Sequence, residues 1–127
     1  MRTLEDVEGA TAADLMHRRI TTLPASATVG EMRAYFAEST SHKLALLVDG
    51  ERFVGSLVAS SLDGASDSAL ASELAVRGDT VAPDAPADVA RERAMAMASS
   101  RLPVVDTDGR LVGIIAINSR RDGFCGT

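Results

Sequence analysis

The chain has 127 residues, of which 46% are hydrophobic, 3% aromatic and 24% charged, and its net charge is −5 at pH 7. This length suits one compact body or two small repeats that share a core of Ala, Val, Leu and Ile. The acidic balance argues against nucleic-acid binding, which depends on many cationic contacts to phosphate. No apolar run approaches the about 18 residues of a membrane span, and no secretory signal opens the chain. We therefore expect a cytoplasmic protein without membrane insertion.

Each half of the sequence opens with a short helix followed by an extended segment. In the first half, Thr11 is placed to cap the helix, and Asp14 follows at the spacing of a capping box. In the second half, Glu73 takes the place of Asp14. The extended segments end at Pro24 and Pro83, and their β-branched residues favour short strands.

An amphipathic helix comes next in each half. Thr28 followed by Glu31 predicts a capped start for the first of these helices. In the second, Pro86 suits the first helical turn, and Ala90 belongs to an alanine-rich face that favours close packing.

A β-hairpin pattern closes each half. The sharper copy spans residues 102–117, where two β-branched runs flank Asp108-Gly109, a pair that supplies the positive φ of a tight turn. The looser copy spans residues 44–58, and its Gly55 lies 58 residues before Gly113. The pattern is therefore a tandem repeat of helix, short strand, helix, strand, hairpin and strand.

The repeated motifs resemble a tandem pair of CBS domains, the Bateman-type regulatory module named after cystathionine β-synthase. The resemblance rests on Ala-Ala-Asp-Leu-Met at 12–16, Thr-Val-Gly-Glu at 28–31 and the hairpin motif from Leu102 to Ile115. It implies an α/β (α+β) fold of two pseudo-twofold-related repeats, each a small three-stranded sheet packed with two helices. The expected divisions are a leader at 1–10, repeat 1 at 11–62, a linker at 63–68, repeat 2 at 69–119 and a tail at 120–127.

The resemblance also implies a function. It indicates a non-enzymatic regulatory module that binds an adenosine-containing metabolite in the clefts between the two repeats. AMP, ADP, ATP and S-adenosylmethionine are the candidate ligands, and no cofactor is required. It further implies a homodimer that regulates an enzyme or a transporter.

The binding residues implied by the resemblance come from equivalent positions of the two repeats. Lys43 and Arg101 occupy one such position, where a cation can meet phosphate, although a base ending a helix explains them equally well. Thr21, Thr22 and Thr80 are placed to read the adenine edge, although β-propensity alone also accounts for them. The full set comprises Thr21, Thr22, Lys43, Leu44, Ala45, Ser61, Asp79, Thr80, Arg101, Leu102, Pro103, Ser119 and Arg120.

The chain departs from the family pattern at its ribose-binding position. The family's terminal Thr-x-x-Asp supplies a carboxylate that accepts both ribose hydroxyls, but Ser61 and Ser119 stand at the aspartate positions here. A second interpretation therefore stays open. In it, the protein is a ligand-free dimerisation or interaction module with degenerate nucleotide clefts.

No catalytic or metal site is predicted. His17 and His42 lack a metal-ligand spacing with each other or with Cys125. The cysteine has no adjacent base that would activate it as a nucleophile. Asp106 and Asp108 belong to a hairpin turn, which aspartate favours through local hydrogen bonds.

Overall fold

The computed structural model describes residues 2–3, 10–40, 42–97, 99–117 and 123–124. In chain order, its strands and helices are β1 (Arg2–Thr3), α1 (Ala12–Leu15), β2 (Leu23–Pro24), α2 (Val29–Glu38), β3 (Ala45–Asp49), β4 (Arg52–Leu57), α3 (Ala87–Ala96), β5 (Arg101–Val105), β6 (Leu111–Ala116) and β7 (Gly123–Phe124). Single 3₁₀ turns lie at Ala59–Leu62 and Ala71–Glu73. Over the described ranges, no helix combines the length and the apolar character needed to cross a membrane.

These elements form two compact units. The continuous unit is Thr21–Gly78, and the split unit combines Met1–Ile20 with Asp79–Thr127. In the continuous unit, β2 runs parallel to β3, and β3 pairs antiparallel with β4. In the split unit, β5 and β6 form an antiparallel hairpin, and β1 pairs antiparallel with β7. The mixed fold of small sheets and helices that the resemblance implied is confirmed.

Both predicted helix caps are present. The Thr28 backbone N–H donates to Glu31 Oε1 at 3.0 Å, and the Glu31 N–H donates back to Thr28 Oγ1 at 3.2 Å. At α1, the Thr11 N–H donates to Asp14 Oδ2 at 2.9 Å. These bonds satisfy amide groups that would otherwise lack partners at the helix starts.

The predicted hairpins are also confirmed. Gly50 and Gly109 have φ angles of 64° and 83°, the left-handed conformation that the turns require. Asp106 Oδ1 accepts hydrogen bonds from the backbone N–H groups of Asp108 and Arg110, each at 2.9 Å. The aspartate therefore stabilises the turn, as its position in the sequence predicted.

Each unit has its own apolar core. In the continuous unit, Val29 and Met32 on α2 are fully buried beside Leu47 of β3. In the split unit, the alanine-rich face of α3 is buried at Ala90 and Ala94. Small side chains on this face let the helix approach the β5–β6 hairpin closely.

Arg33 fixes the segment that follows the continuous unit's sheet. Its Nη2 atom donates to the carbonyl oxygens of Leu62 at 2.9 Å and Ala65 at 2.8 Å, and the guanidinium pairs with Asp67. The predicted linker, residues 63–68, is therefore attached to α2.

The β5–β6 sheet of the split unit has two strands, where the sequence led us to expect three. Val81 makes a single parallel bridge to Val104, with its N–H donating to Pro103 O and its carbonyl accepting from Val105 N–H, both at 3.0 Å. Extending this ladder in either direction would require an N–H from Pro103 or Pro83, and proline has none. The third strand is therefore limited to one residue.

The opening segment of each sequence repeat packs against the hairpin of the other repeat. These opening segments run from Ala12 to His17 and from Ala71 to Val76. In the split unit, the Ala12 N–H donates to Ala85 O at 2.9 Å. His17 and Ile114 of β6 exchange backbone hydrogen bonds at 2.8 and 3.0 Å. The first residues of the chain thus complete a unit whose remainder begins at Asp79.

The continuous unit contains the matching arrangement. Ala71 N–H donates to Ala27 O at 3.0 Å, and Ser56 and Val76 exchange backbone hydrogen bonds, both at 2.9 Å. These residues correspond in the repeat to those that join the opening segment to the split unit. The compact units are therefore a different division of the chain from the sequence repeats.

Glycine permits this close packing in both hairpins. A Cβ added at Gly113 would lie 2.5 Å from Met16 Sδ and 2.8 Å from the His17 carbonyl oxygen. A Cβ added at Gly55 would lie 2.6 Å from Ala75 Cβ. Both distances are below van der Waals contact, so the opening segments need glycine at these positions.

Candidate functional site

The predicted ligand contacts of the continuous unit lie at one end of its sheet. The register pairs Leu23 of β2 with Leu47 of β3, which places Thr21 level with Ala45. Ala45 is also paired with Leu57, the last residue of β4. The structure therefore brings together the β3-start set, which consists of Thr21, Thr22, Lys43, Leu44, Ala45 and Ser61.

The split unit gathers the corresponding residues at the start of β5. The Val81–Val104 bridge is parallel, so Asp79 lies level with Leu102. The β5-start set consists of Asp79, Thr80, Arg101, Leu102 and Pro103. Ser119 and Arg120, which follow β6 in the sequence, lie outside the described residues.

Burial divides both sets into walls and accessible groups. Leu44 and Ala45 are 7% and 0% exposed, and Leu102 and Pro103 are equally buried. Thr21, Thr22, Lys43 and Asp79 are exposed, whereas Ser61, Thr80 and Arg101 are half-buried. The buried members offer backbone groups, while the others present hydroxyls and charges.

His42, the residue before Lys43, positions the backbone that leads into β3. The His42 ring stacks on Tyr35 with a centroid distance of 4.1 Å and an angle of 5° between the rings. His42 Nδ1 lies 2.7 Å from the Tyr35 carbonyl oxygen, which can only accept, so this nitrogen carries a proton and donates it. Lys43 itself makes no ion pair or hydrogen bond with the described residues, which leaves its ammonium available.

Arg101 is held at the start of β5 by its neighbours. Its Nη1 atom donates to Ser99 O at 2.9 Å, and its backbone N–H donates to Ser99 Oγ at 3.2 Å. Ser100 between them has a φ of 55°, a left-handed conformation that costs energy for a residue other than glycine. A guanidinium has five N–H donors, so Arg101 retains donors for an anion.

Ser61 supplies a hydroxyl where the family pattern has a carboxylate. Its Oγ accepts a hydrogen bond from the Val58 N–H at 3.2 Å and so caps the Ala59–Leu62 turn. A hydroxyl in this role keeps one O–H donor but lacks the two acceptor oxygens of a carboxylate. Ser61 therefore offers fewer hydrogen-bond acceptors to the two hydroxyls of a ribose than an aspartate at this position would.

A cleft that the sequence did not predict lies in the split unit. Its volume is about 540 Å³, and its lining includes Ala13, Asp14, Met16, His17, Arg18 and Arg19. The available sequence signal was the run of three basic residues from His17 to Arg19 in a chain with a net charge of −5. Within the described ranges, cleft included, no three His, Cys, Asp or Glu side chains converge as metal ligands.

Comparison with known proteins links this fold to one family. Residues 72–118 match the family model of the CBS domain. No match was found among curated proteins.

Three solved structures illustrate the similarity. CBSX2 from Arabidopsis thaliana, in complex with AMP, is 21% identical with a TM-score of 0.70, covering 84% of this chain and 89% of its own. The cytosolic domain of the Mg²⁺ channel MgtE, in complex with ATP, is 27% identical with a TM-score of 0.64. The match covers 84% of this chain and 45% of the MgtE chain. The CBS pair domain of a putative Mg²⁺ transporter from Shewanella oneidensis MR-1 is 18% identical with a TM-score of 0.69. The match covers 80% of this chain and 61% of the Shewanella chain. The chain thus spans less than two thirds of the length of the MgtE and Shewanella chains.

Proposed function

Because this chain belongs to the CBS-domain proteins and has the fold of a tandem pair, we propose that it is a regulatory module that binds an adenosine-containing metabolite. CBS pairs are generally regulatory rather than catalytic, and some have been solved with AMP or ATP bound. The observation that carries the proposal is the grouping of accessible hydroxyl and cationic residues at one sheet end in each unit. Lys43 and Arg101 supply the cations at equivalent positions.

The chemistry of the two sets fits the parts of a nucleotide. Thr21, Thr22 and Thr80 offer hydroxyls beside backbone groups, which together can read the polar edge of adenine. Lys43 and Arg101 can each pair with phosphate. Since Ser61 replaces the ribose-binding carboxylate, phosphate contacts contribute a larger share of the affinity than ribose contacts. AMP, ADP and ATP are therefore preferred over S-adenosylmethionine, which carries no phosphate.

The regulated partner is proposed from the relatives. MgtE is a Mg²⁺ channel, and the Shewanella protein is a putative Mg²⁺ transporter. We extend this relation to the present chain and propose that its ligand occupancy controls an enzyme or a transporter, with the module acting as a homodimer.

A thermal-shift series on the full chain tests ligand binding. A ligand present at a hundred times its Kd stabilises the folded state by about 2.7 kcal/mol, or roughly 10 °C in Tm for a chain of this size. We expect AMP, ADP or ATP to raise Tm, and we expect Lys43→Ala and Arg101→Ala to reduce that rise. An unchanged Tm with every ligand at millimolar concentration, for protein shown to be folded by circular dichroism, would contradict the proposal.

Arg52→Ala provides the matched control for these variants. Arg52 is exposed and begins β4, at the opposite end of the sheet from the β3-start set. Its removal changes the net charge by the same amount as Lys43→Ala. The nucleotide-induced shift should therefore persist in Arg52→Ala, and an equal loss in both variants would indicate a general charge effect.

One observation favours the alternative of an interaction module. Leu70, Leu74 and Val76, in one short stretch of the continuous unit, are 44%, 36% and 46% exposed. Neighbouring apolar side chains at this exposure are typical of an association surface, and a second copy of the chain is the occupant that the homodimer proposal requires. If this surface forms the dimer, Leu74→Glu should produce monomers in sedimentation measurements, whereas Val89→Glu, at an exposed apolar residue of the split unit, should not.

A further inference from the structure

The cleft at residues 13–19 has the size of a small-molecule site. Its volume of about 540 Å³ falls within the range of typical ligand pockets. Ala13 and Met16 provide apolar lining, while His17, Arg18 and Arg19 provide ring nitrogens and guanidinium groups. Such a mixture of apolar walls and a few convergent polar groups is typical of binding sites.

Within the described ranges, no carboxylate pairs with the two arginines of this cleft. Arg18 and Arg19 are exposed, and neither pairs with a carboxylate in the part of the chain that the structure describes. Among the described residues, Arg18 Nη2 reaches the Ala13 carbonyl oxygen, at 3.5 Å. The carboxylate that lines the cleft, Asp14, accepts hydrogen bonds from the Thr11 N–H and hydroxyl at 2.9 and 3.2 Å.

The backbone at the start of the basic run is held in place. His17 is bonded in both directions to Ile114, and Ala13 N–H donates to Pro83 O at 2.9 Å. Met16 is 4% exposed and is packed on Gly113. A fixed backbone lowers the entropy lost when the arginine side chains close on a ligand.

The cleft is separate from the β5-start set of the same unit. Because His17 pairs antiparallel with Ile114, the chain from His17 to Arg19 runs toward Leu111, the start of β6. Arg101 pairs with Ala116, at the other end of that strand. The basic run and Arg101 therefore lie toward opposite ends of β6.

We propose that this cleft is a second anion site, which binds the phosphate groups of a phosphorylated small molecule through Arg18 and Arg19. Arginine matches phosphate because its planar fork donates two parallel hydrogen bonds to two oxygens. The His17 ring adds a further donor at the cleft wall. The site shares no residue with the β3-start or β5-start set.

Isothermal titration of the full chain with inorganic pyrophosphate tests the proposal. We expect wild type to bind pyrophosphate, and we expect the double variant Arg18→Ala/Arg19→Ala to bind it at least about tenfold more weakly, since each charge-assisted contact contributes this much. Arg52→Ala, at an exposed residue outside both proposed sites, is the control and should bind pyrophosphate like wild type. All three proteins should have the same far-UV circular dichroism, because both arginines of the cleft are exposed.

Three results would overturn the proposal. They are no pyrophosphate binding by wild type, equal binding by the double variant, and equally tight binding of citrate, which would indicate charge attraction without phosphate recognition. The outcome is separable from that of the nucleotide proposal. A chain that binds pyrophosphate through Arg18 and Arg19 but ignores AMP would support this cleft and contradict the other site.

Discussion

Replacing Gly113 with alanine should disrupt the attachment of the opening segment to the split unit. The new methyl group would lie 2.5 Å from Met16 Sδ, 2.7 Å from Met16 Cγ and 2.8 Å from the His17 carbonyl oxygen. The methionine side chain can rotate away, but the carbonyl is fixed by reciprocal hydrogen bonds with Ile114 at 2.8 and 3.0 Å. Overpacking against fixed groups costs about 1–3 kcal/mol.

We therefore expect Gly113→Ala to lower the free energy of unfolding by about 2 kcal/mol, which corresponds to roughly 8 °C in Tm for this chain length. Urea unfolding followed by circular dichroism measures the change. Hydrogen exchange locates it, because the amide protons of His17 and Ile114 should exchange faster than in wild type. The double variant Met16→Ala/Gly113→Ala should recover only part of the loss, since the contact with the His17 carbonyl persists.

Gly78→Ala is the control for this experiment. A Cβ at Gly78 would meet no atom within 4 Å, and this glycine is not among those with positive φ. Its unfolding free energy should stay within about 0.5 kcal/mol of wild type. The reasoning is refuted if Gly113→Ala is as stable as Gly78→Ala and exchange at His17 and Ile114 is unchanged.

Three further changes test other parts of the fold. Thr28→Ala should cost about 1 kcal/mol by removing the cap of α2, while Thr28→Ser should retain it; equal melting of the two variants would show that the hydroxyl bond to the Glu31 amide contributes nothing. Arg33→Ala should speed amide exchange across the segment that contains Asp67. Asp67→Ala should speed it less, because the Arg33 guanidinium also donates to two backbone carbonyls. Faster exchange in Asp67→Ala than in Arg33→Ala would contradict this. Gly109→Ala should destabilise the β5–β6 hairpin by about 1–2 kcal/mol because its φ is 83°, and a neutral effect on urea unfolding would disprove the need for glycine at that turn.

The elements that sequence predicted correctly depend on local chemistry. Asp108-Gly109 specifies its turn through the two residues themselves, and the Thr28 cap is set by Glu31 three positions later. The missing strand at Val81 is also a local effect, but it requires knowing that Pro83 and Pro103 fall at the donor positions of one ladder. That alignment is a property of the register, which the sequence pattern does not determine.

The exchange of opening segments and the basic cleft depend on tertiary packing. Nothing in residues 12–16 indicates which hairpin they contact, because both hairpins carry a glycine at the matching position. Arg18 and Arg19 are two surface arginines in the sequence, and only the fold places them in a cleft. For Lys43 and Arg101, the positions at the starts of β3 and β5 were predictable from the resemblance, whereas their contact with a ligand stays a prediction.

Contacting residues are closer together in sequence in the continuous unit than in the split unit. This difference affects the order in which the two units can fold during synthesis. All residues of the continuous unit have been synthesised once Gly78 has been added, so Ala71 can pair with Ala27 early. Ala12 can pair with Ala85, and His17 with Ile114, only after those later residues have been synthesised. Contacts between distant residues form slowly because a long loop must be closed first. During that interval the apolar residues Leu15 and Met16 have no hairpin to cover them, so a nascent chain stalled before β6 should be more susceptible to aggregation and proteolysis than one in which β6 has been completed and has left the ribosome.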